Sequence, residues 1–268
     1  MIGFAETFGA ILGSFILPAF VALLIVSAAA RYAKPMYLAA FAIGLYFWFF
    51  SDTIGDASLL GVSEGFTGGF WHVVLWLCFA IGLLLLVSLD KSTFAEGSAG
   101  ERLGFAIPVL VAIAVGLHGF GEGAAIGSQA ATTGSTNLLD AFGGLSAAVA
   151  FILHKGLEPM MVGAAYWVYA HDHARDASGR LKDLVVLTLA FTIPGIVGGA
   201  SAYYIIQVYP SADFTYVFAL GLGASIYAAV RLARPLFRAT GSGSESVKIA
   251  VCIVLGFTCL YLAALLHS

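Results

Sequence analysis

The chain has 268 residues, of which 60% are hydrophobic and only 10% charged; its mean hydropathy is +0.97 and its formal net charge is −3. A water-soluble domain averages about 25% charged and about 45–50% apolar residues, so this chain has too little polar surface to cover a soluble globule. The shortage of charge excludes a nucleic-acid-binding protein, a disordered chain and an ordinary cytosolic enzyme. The composition predicts an integral membrane protein.

Hydropathy along the chain predicts eight membrane-spanning helices in one all-α bundle, since each span needs about 20 mostly apolar residues. The predicted spans cover residues 8–30, 36–51, 70–89, 103–127, 138–169, 184–209, 214–231 and 247–266. In this interpretation residues 1–268 form a single transmembrane domain. A cleaved signal peptide begins with basic residues, and none precedes the first span, so we expect that span to remain in the protein.

The basic residues predict how these spans are oriented. There are 12 of them, and all but Lys155 fall in or beside the connections that follow the first, third, fifth and seventh spans. Because positively charged connections stay on the inner side of a membrane, both termini are expected on the outer side. We therefore expect a multi-pass protein of the cell membrane, that is, a plasma or inner membrane.

Only three normally charged residues lie well inside the predicted spans, Glu122, Lys155 and Glu158, and each glutamate follows a histidine by four residues. His118 and Glu122 lie four residues apart on the fourth span, and His154 and Glu158 have the same spacing on the fifth, beside Lys155. Residues four apart share one face of a helix, so each span presents an imidazole and a carboxylate together. Two nitrogens and two oxygens suit a divalent first-row cation, with zinc the usual choice. The alternative is a structural network that only joins the two spans.

The backbone near these residues also departs from a regular helix. Pro159 directly follows Glu158 and removes the hydrogen bond to the carbonyl of Lys155. Broken helices near the middle of the membrane are typical of transporter binding sites. The sequence thus predicts an irregular fifth span at its charged residues.

These motifs resemble the ZIP (Zrt-, Irt-like) family of metal transporters. The runs 118–123 (His-Gly-Phe-Gly-Glu-Gly) and 154–158 (His-Lys-Gly-Leu-Glu) are similar to the motifs of its fourth and fifth helices. Ile193-Pro194-Gly195 and residues 223–227, followed by Pro235, are weaker echoes of its sixth and seventh helices. The resemblance implies a divalent-metal pathway between helices two, four, five and seven. Its ligands would be His118, Glu122, His154 and Glu158.

The chain also departs from that family. Many members hold a second metal beside the first, and the positions that bind it read Gly119, Lys155 and Ile193 here. With neutral histidines, Lys155 and the two glutamates sum to −1, so one divalent ion gives +1 and a second would give +3, which a low-dielectric site opposes. We therefore expect at most one metal ion, and we expect Lys155 to neutralise the empty site and to move aside or lose a proton when metal enters. Arg231, where the family has an acidic residue, makes the inner route less favourable to cations.

Two further groups are candidates for guiding the metal on either side of the membrane. Asp52 and Asp56 form an acidic pair at the outer end of the second span, where they could also simply cap and solvate the helix. His171 and His173 follow the fifth span on the inner side, and a hydrophilic helix end is the alternative for them.

The leading hypothesis is a transporter of zinc, or of iron or manganese, and not an enzyme. The expected partners are the divalent ion and the lipid bilayer, with a homodimer as a candidate assembly, no nucleic acid and no organic cofactor. A membrane subunit that keeps the ZIP-like fold without transporting is the first alternative. An intramembrane metal-dependent hydrolase is the second, although every carboxylate within the spans is already assigned as a ligand.

Overall fold

The structure is a computed structural model that describes residues 2–58, 70–90, 104–170, 177–210, 212, 214–237 and 243–265. Every regular element in these ranges is a helix. The helices are α1 (Phe4–Ala29), α2 (Pro35–Ser58), α3 (Phe70–Leu89), α4 (Ala106–Thr132), α5 (Leu145–Leu157), α6 (Pro159–Tyr169), α7 (Ala177–Val208), α8 (Thr215–Phe237) and α9 (Gly243–Ala264).

Seven stretches of the described chain are long and apolar enough to cross a membrane, with α5 and α6 together forming one of them, Leu145–Tyr169. The remaining predicted span is α3, whose stretch Val73–Leu89 is apolar but falls short of 18 residues. Large hydrophobic side chains such as Trp76, Leu84 and Val254 are more than half exposed. An apolar outer surface of this kind suits a helical bundle surrounded by lipid. The chain is thus an all-α protein with the features of a multi-pass membrane protein.

The predicted fifth span differs most from its structure. The helix expected from residue 138 begins at Leu145, because a separate 3₁₀ helix (Leu138–Phe142) comes first. The Asn137 side chain accepts a hydrogen bond from the backbone of Leu139 at 3.2 Å and fixes the start of that short helix. Gly143 and Gly144 then adopt φ of +85° and +109°, a conformation that side chains with a Cβ rarely adopt, and this separates the 3₁₀ helix from α5.

The break within this span falls at Glu158, as Pro159 predicts. Proline has no backbone N–H, so the carbonyl of Lys155 loses its helical partner there and α6 starts at the proline. The backbone N–H of Glu158 still bonds to the carbonyl of His154 at 3.1 Å. The junction therefore keeps α5 and α6 in one path while placing Glu158 at an irregular point of the backbone.

Glycines allow several pairs of helices to pack backbone against backbone. A Cβ on Gly123 of α4 would collide with the carbonyl of Gly195 on α7, and one on Gly198 of α7 would collide with the carbonyl of Phe120. The pairs α2–α9 and α3–α8 repeat this reciprocal arrangement, through Gly44 and Gly256 and through Gly82 and Gly223. Small residues are the usual means by which membrane helices approach closely. The first of these crossings holds α7 against α4, the helix that carries His118 and Glu122.

Two apolar cores lie at different levels of the bundle. The larger includes Val115 of α4 and Phe191 of α7, and the smaller includes Ile126 and Tyr203 farther along the same helices. The residues of α4 between the two cores include His118 and Glu122, so the charged site occupies the level between them. We call the end of the bundle with the 3₁₀ helix the vestibule end. The opposite end, where Lys34 of the α1–α2 connection pairs with Glu245 of α9 at 3.3 Å, is called the basic end.

Candidate metal centre

The polar side chains predicted inside the spans meet between α4 and the α5–α6 junction. α4 supplies His118 and Glu122, α5 supplies His154 and Lys155, and Glu158 stands at the junction. The side chains of Lys155 and Glu158 have no exposed surface, and that of Glu122 keeps 15%. We refer to these five residues as the charged cluster.

Three members of the charged cluster form a group that could hold a metal ion. One nitrogen of His118 and one oxygen each of Glu122 and Glu158 all lie within 4.8 Å of one another. Nε2 of His118 lies 3.8 Å from Oε1 of Glu122, and it has no hydrogen-bond partner among the described residues. A buried imidazole nitrogen without a partner beside two carboxylates is a donor set that zinc commonly uses.

A hydroxyl group from α2 orients the His118 ring. Thr53 Oγ1 lies 3.3 Å from Nδ1 of His118 and donates its own hydrogen to the carbonyl of Phe49 at 2.8 Å. Since that hydrogen is already used, Thr53 can only accept from the ring, which places the ring hydrogen on Nδ1. The lone pair is then on Nε2, the nitrogen that faces the carboxylates. Such a contact behind a histidine is how metal ligands are usually held in position.

His154 lies on the vestibule side of this group rather than within it. Its Nε2 is 2.8 Å from Oε1 of Glu158 and 4.0 Å from a carboxylate oxygen of Asp52. The structure thus brings three of the four predicted ligands together and links His154 to them through Glu158. It also places Asp52 beside the charged cluster.

Lys155 occupies the centre of the charged cluster. Its ammonium forms a close ion pair with Oε2 of Glu122 and donates to Oε2 of Glu158 at 2.5 Å. The rings of Phe15, Phe151 and Phe191 surround it, with centroids 5.6–5.8 Å from Nζ. Cations are attracted to aromatic faces in this range. Each carboxylate therefore directs Oε2 to Lys155 and Oε1 towards a histidine.

The two other positions that the ZIP resemblance assigns to a second metal are placed differently. A Cβ on Gly119 would lie 3.9 Å from Nζ of Lys155, so this residue adjoins the ammonium. Ile193 is 50% exposed on the outer face of α7 and does not reach the charged cluster. Phe191 instead supplies the part of α7 that faces Lys155. Ile193 follows Phe191 by two residues, which corresponds to about 200° of rotation around a helix, so Ile193 faces away from the charged cluster.

A cavity of about 770 Å³ opens at the vestibule end and reaches the charged cluster, and we call it the vestibule. Its polar lining comes from Asp52, Glu122, Gln129 and His154. Because two of these belong to the charged cluster, a hydrated ion at the vestibule end has a direct path to the carboxylates and His154.

Several predicted candidates fall elsewhere. His171 and His173 lie outside the described residues, and the side chain of Asp56 does as well, although α2 includes its backbone. Arg231, expected near the inner surface, is completely buried and pairs with Asp90. Sequence reasoning missed both Thr53 and Asp90. Thr53 follows Asp52 directly, so the polar end of the second span was the available signal.

Comparison with known proteins gives this chain no family, since no protein-family model and no curated protein matches its sequence. Its function is therefore inferred from the site itself. That site is a buried group with one ammonium between two carboxylates, a histidine nitrogen free to bind, and an open path from one end of the bundle.

Proposed function

We propose that this chain transports a divalent first-row metal ion, with zinc the foremost candidate and iron or manganese also suited, across the membrane. The observation that carries the proposal is the free Nε2 of His118 beside the carboxylates of Glu122 and Glu158, at the inner limit of the vestibule. Ionisable groups within membrane spans usually serve a function because they are costly to bury. A transport role also agrees with the ZIP resemblance of these motifs.

The division of the carboxylate oxygens supports a single ion. Oε2 of both glutamates is engaged by Lys155, which leaves the Oε1 side, together with His118 and His154, to receive a metal. The charge balance of the sequence predicts that Lys155 moves aside or loses a proton when metal enters. Because its ammonium is fully buried among three rings, we propose instead that it stays in place as a fixed positive charge while the metal binds. His154 would then complete the predicted four ligands by turning from the position it holds beside Glu158.

We further propose the orientation that the basic residues predict, with eight spans and both termini outside. In this arrangement α3 also crosses the membrane and brings the number of spans from seven to eight. The vestibule then faces the outer side of a cell membrane, and Asp52 draws cations towards the charged cluster for inward movement. A homodimer remains the candidate assembly.

Two observations favour the second candidate, a membrane subunit that does not transport. Lys155 already neutralises part of the cluster, and a buried ion pair between Asp90 and Arg231 lies towards the basic end. In that case metal binding would occur without passage. Both candidates therefore predict metal binding, and only the transporter predicts movement of metal across the membrane.

Uptake of radioactive zinc into proteoliposomes tests the proposal. The native chain is compared with His118→Ala and Glu158→Gln, and Glu245→Gln removes a carboxylate at the basic end as a matched control. We expect saturable uptake by the native chain and the control and none by the two site variants. Calorimetric zinc titration of the same purified proteins separates the candidates, because binding without uptake supports the subunit. Absence of both from folded, inserted protein would contradict a metal site altogether.

A further inference from the structure

Asp90 and Arg231 form a buried ion pair at the basic end that the proposed metal site does not use. Asp90 follows the last residue of α3, Arg231 lies near the end of α8, and neither side chain is exposed. The hydroxyl of Tyr227 also donates to the Asp90 carboxylate, at 2.8 Å. The guanidinium carbon lies 5.8 Å from the centre of the Tyr227 ring. One carboxylate and one guanidinium meet in this contact.

A third helix closes over the pair. Tyr169, the last residue of α6, donates its hydroxyl to the backbone carbonyl of Arg231 at 2.9 Å. α6 begins at the junction that holds Glu158, so the helix that starts in the charged cluster ends on the ion pair. Together, Tyr169, Tyr227, Asp90 and Arg231 join α3, α6 and α8, and we call these four residues the latch.

Two contacts of α8 mark the stretch of the bundle between the charged cluster and the latch. The Phe218 ring contacts the His118 ring with centroids 5.3 Å apart, and Ser225 lies 3.5 Å from the hydroxyl of Tyr46 on α2. At 1.5 Å per residue, Ser225 is about 10 Å along the axis from Phe218 and Arg231 about 9 Å farther. None of the latch residues lines the vestibule, as far as the described residues go. The vestibule thus reaches the charged cluster from one end of the bundle, and the latch lies buried towards the other.

We propose that the latch is a reversible gate, which holds the basic end closed and must part before a metal ion can leave there. An apolar contact would close this end at least as firmly, since a buried ion pair loses much of its attraction to desolvation. A charged pair differs in that water can hydrate both groups once they separate. An ion pair thus suits a contact that opens and closes. The proposal rests on the proposed function, because it names the exit of the same path.

Chemical labelling tests the latch without any metal. Cys78, Cys252 and Cys259 are replaced by alanine, and Ser225→Cys places a probe between the charged cluster and the latch. A membrane-impermeant thiol reagent is applied from the basic end in zinc-free vesicles. With the latch intact, and with Arg231→Lys, which keeps the positive charge, we expect slow labelling. The double variant Asp90→Asn with Arg231→Gln should be labelled on the order of tenfold faster, a shift in the range that coupled conformational equilibria show.

Two controls make every outcome decisive. Gln129 lines the vestibule, so a thiol introduced by Gln129→Cys should be labelled only from the opposite side in all variants, which checks sidedness. Size-exclusion profiles and thermal midpoints matching the native chain show that the double variant is folded. The latch would be overturned if the Ser225→Cys thiol were labelled at the same rate in the folded double variant as in the chain with the latch intact. Fast labelling in the native background would overturn it as well. A chain that moves no zinc yet shows the labelling difference would contradict the proposed function and leave the gate standing.

Discussion

Where the vestibule ends within the bundle, two carboxylates share one ammonium. At the basic end, one carboxylate contacts one guanidinium. With neutral histidines the charged cluster carries a net charge of −1 and the Asp90–Arg231 pair carries none. The cluster also contains a histidine nitrogen without a partner among the described residues. A buried excess of negative charge next to such a nitrogen favours a further cation, and a balanced pair does not. Burial of charge alone therefore does not identify a binding site; the excess charge and the free donor do.

The two cations also differ in a way that matches these roles. The guanidinium of Arg231 is planar and suits a directional contact with one carboxylate and the Tyr227 ring. The compact ammonium of Lys155 can lie between two carboxylates and among three aromatic rings. It neutralises one negative charge and leaves the second uncompensated. The cluster can thus accept a divalent ion without losing its internal support.

The largest expected effect comes from removing both carboxylates of the cluster. Glu122→Gln with Glu158→Gln leaves the Lys155 ammonium buried without an anion, and breaking buried pairs in this way costs about 3–5 kcal/mol. We expect a lower thermal midpoint in detergent and no zinc binding by calorimetry. Adding Lys155→Met should restore most of the midpoint and none of the binding. If the double variant still bound zinc, the carboxylates would not be its ligands.

Substitutions at the Asp90–Arg231 pair should change stability and leave zinc affinity unchanged. Arg231→Met leaves the buried Asp90 carboxylate without its guanidinium and should cost up to about 3–5 kcal/mol, while Asp90→Leu with Arg231→Met removes both charges and should cost much less. Thermal unfolding of the single and double variants measures this difference. Zinc affinity should stay at the native value in each folded variant, because the pair lies about 20 Å along α8 from the level of His118. A large change in affinity would show that the two regions are not independent.

The general fold was predictable because its signals are local. Apolar runs of about 20 residues predict spans, and a spacing of four places His118 with Glu122 and His154 with Glu158 on common helix faces. Pro159 likewise indicated the break that the structure places at Glu158. The start of the fifth span was predicted wrongly at residue 138, because the run 138–144 is mostly apolar and resembles the rest of the span. Two glycines at positive φ instead end a short 3₁₀ helix there.

The contacts between helices could not be read from the chain. Thr53 orients His118 from 65 residues away, and Asp90 pairs with Arg231 across 141 residues. Which residue of α7 faces Lys155 depends on how that helix is rotated against α4, so Phe191 could not be chosen over Ile193 beforehand. The same rotation decides whether a position assigned by motif resemblance is near the site at all.

A smaller effect is expected from Lys155→Gln, which changes the net charge of the cluster from −1 to −2. The loss of a cation in direct contact with both carboxylates should raise zinc affinity by at least about tenfold. The variant should also bind a second equivalent of zinc, since the position beside Gly119 is then free of positive charge. Calorimetric titration gives both numbers, and Lys34→Gln, which removes an exposed lysine, is the matched control. Unchanged affinity and one equivalent would show that Lys155 neither limits nor fills the site.

The smallest effect concerns the approach to the cluster. Asp52 lines the vestibule with its side chain 38% exposed, and it lies 4.0 Å from His154. Because a carboxylate in a cleft raises the local concentration of cations, Asp52→Asn should lower the initial rate of zinc uptake about two- to fivefold at low ionic strength and less at high salt. Glu6→Gln is the control, since Glu6 sits at the start of α1, bonded to Gly3, and does not line the vestibule. Equal losses in both variants would mean a general surface effect. A loss of binding as complete as that of His118→Ala would instead make Asp52 a ligand, and the metal would then sit nearer the vestibule than the Glu122–Glu158 group.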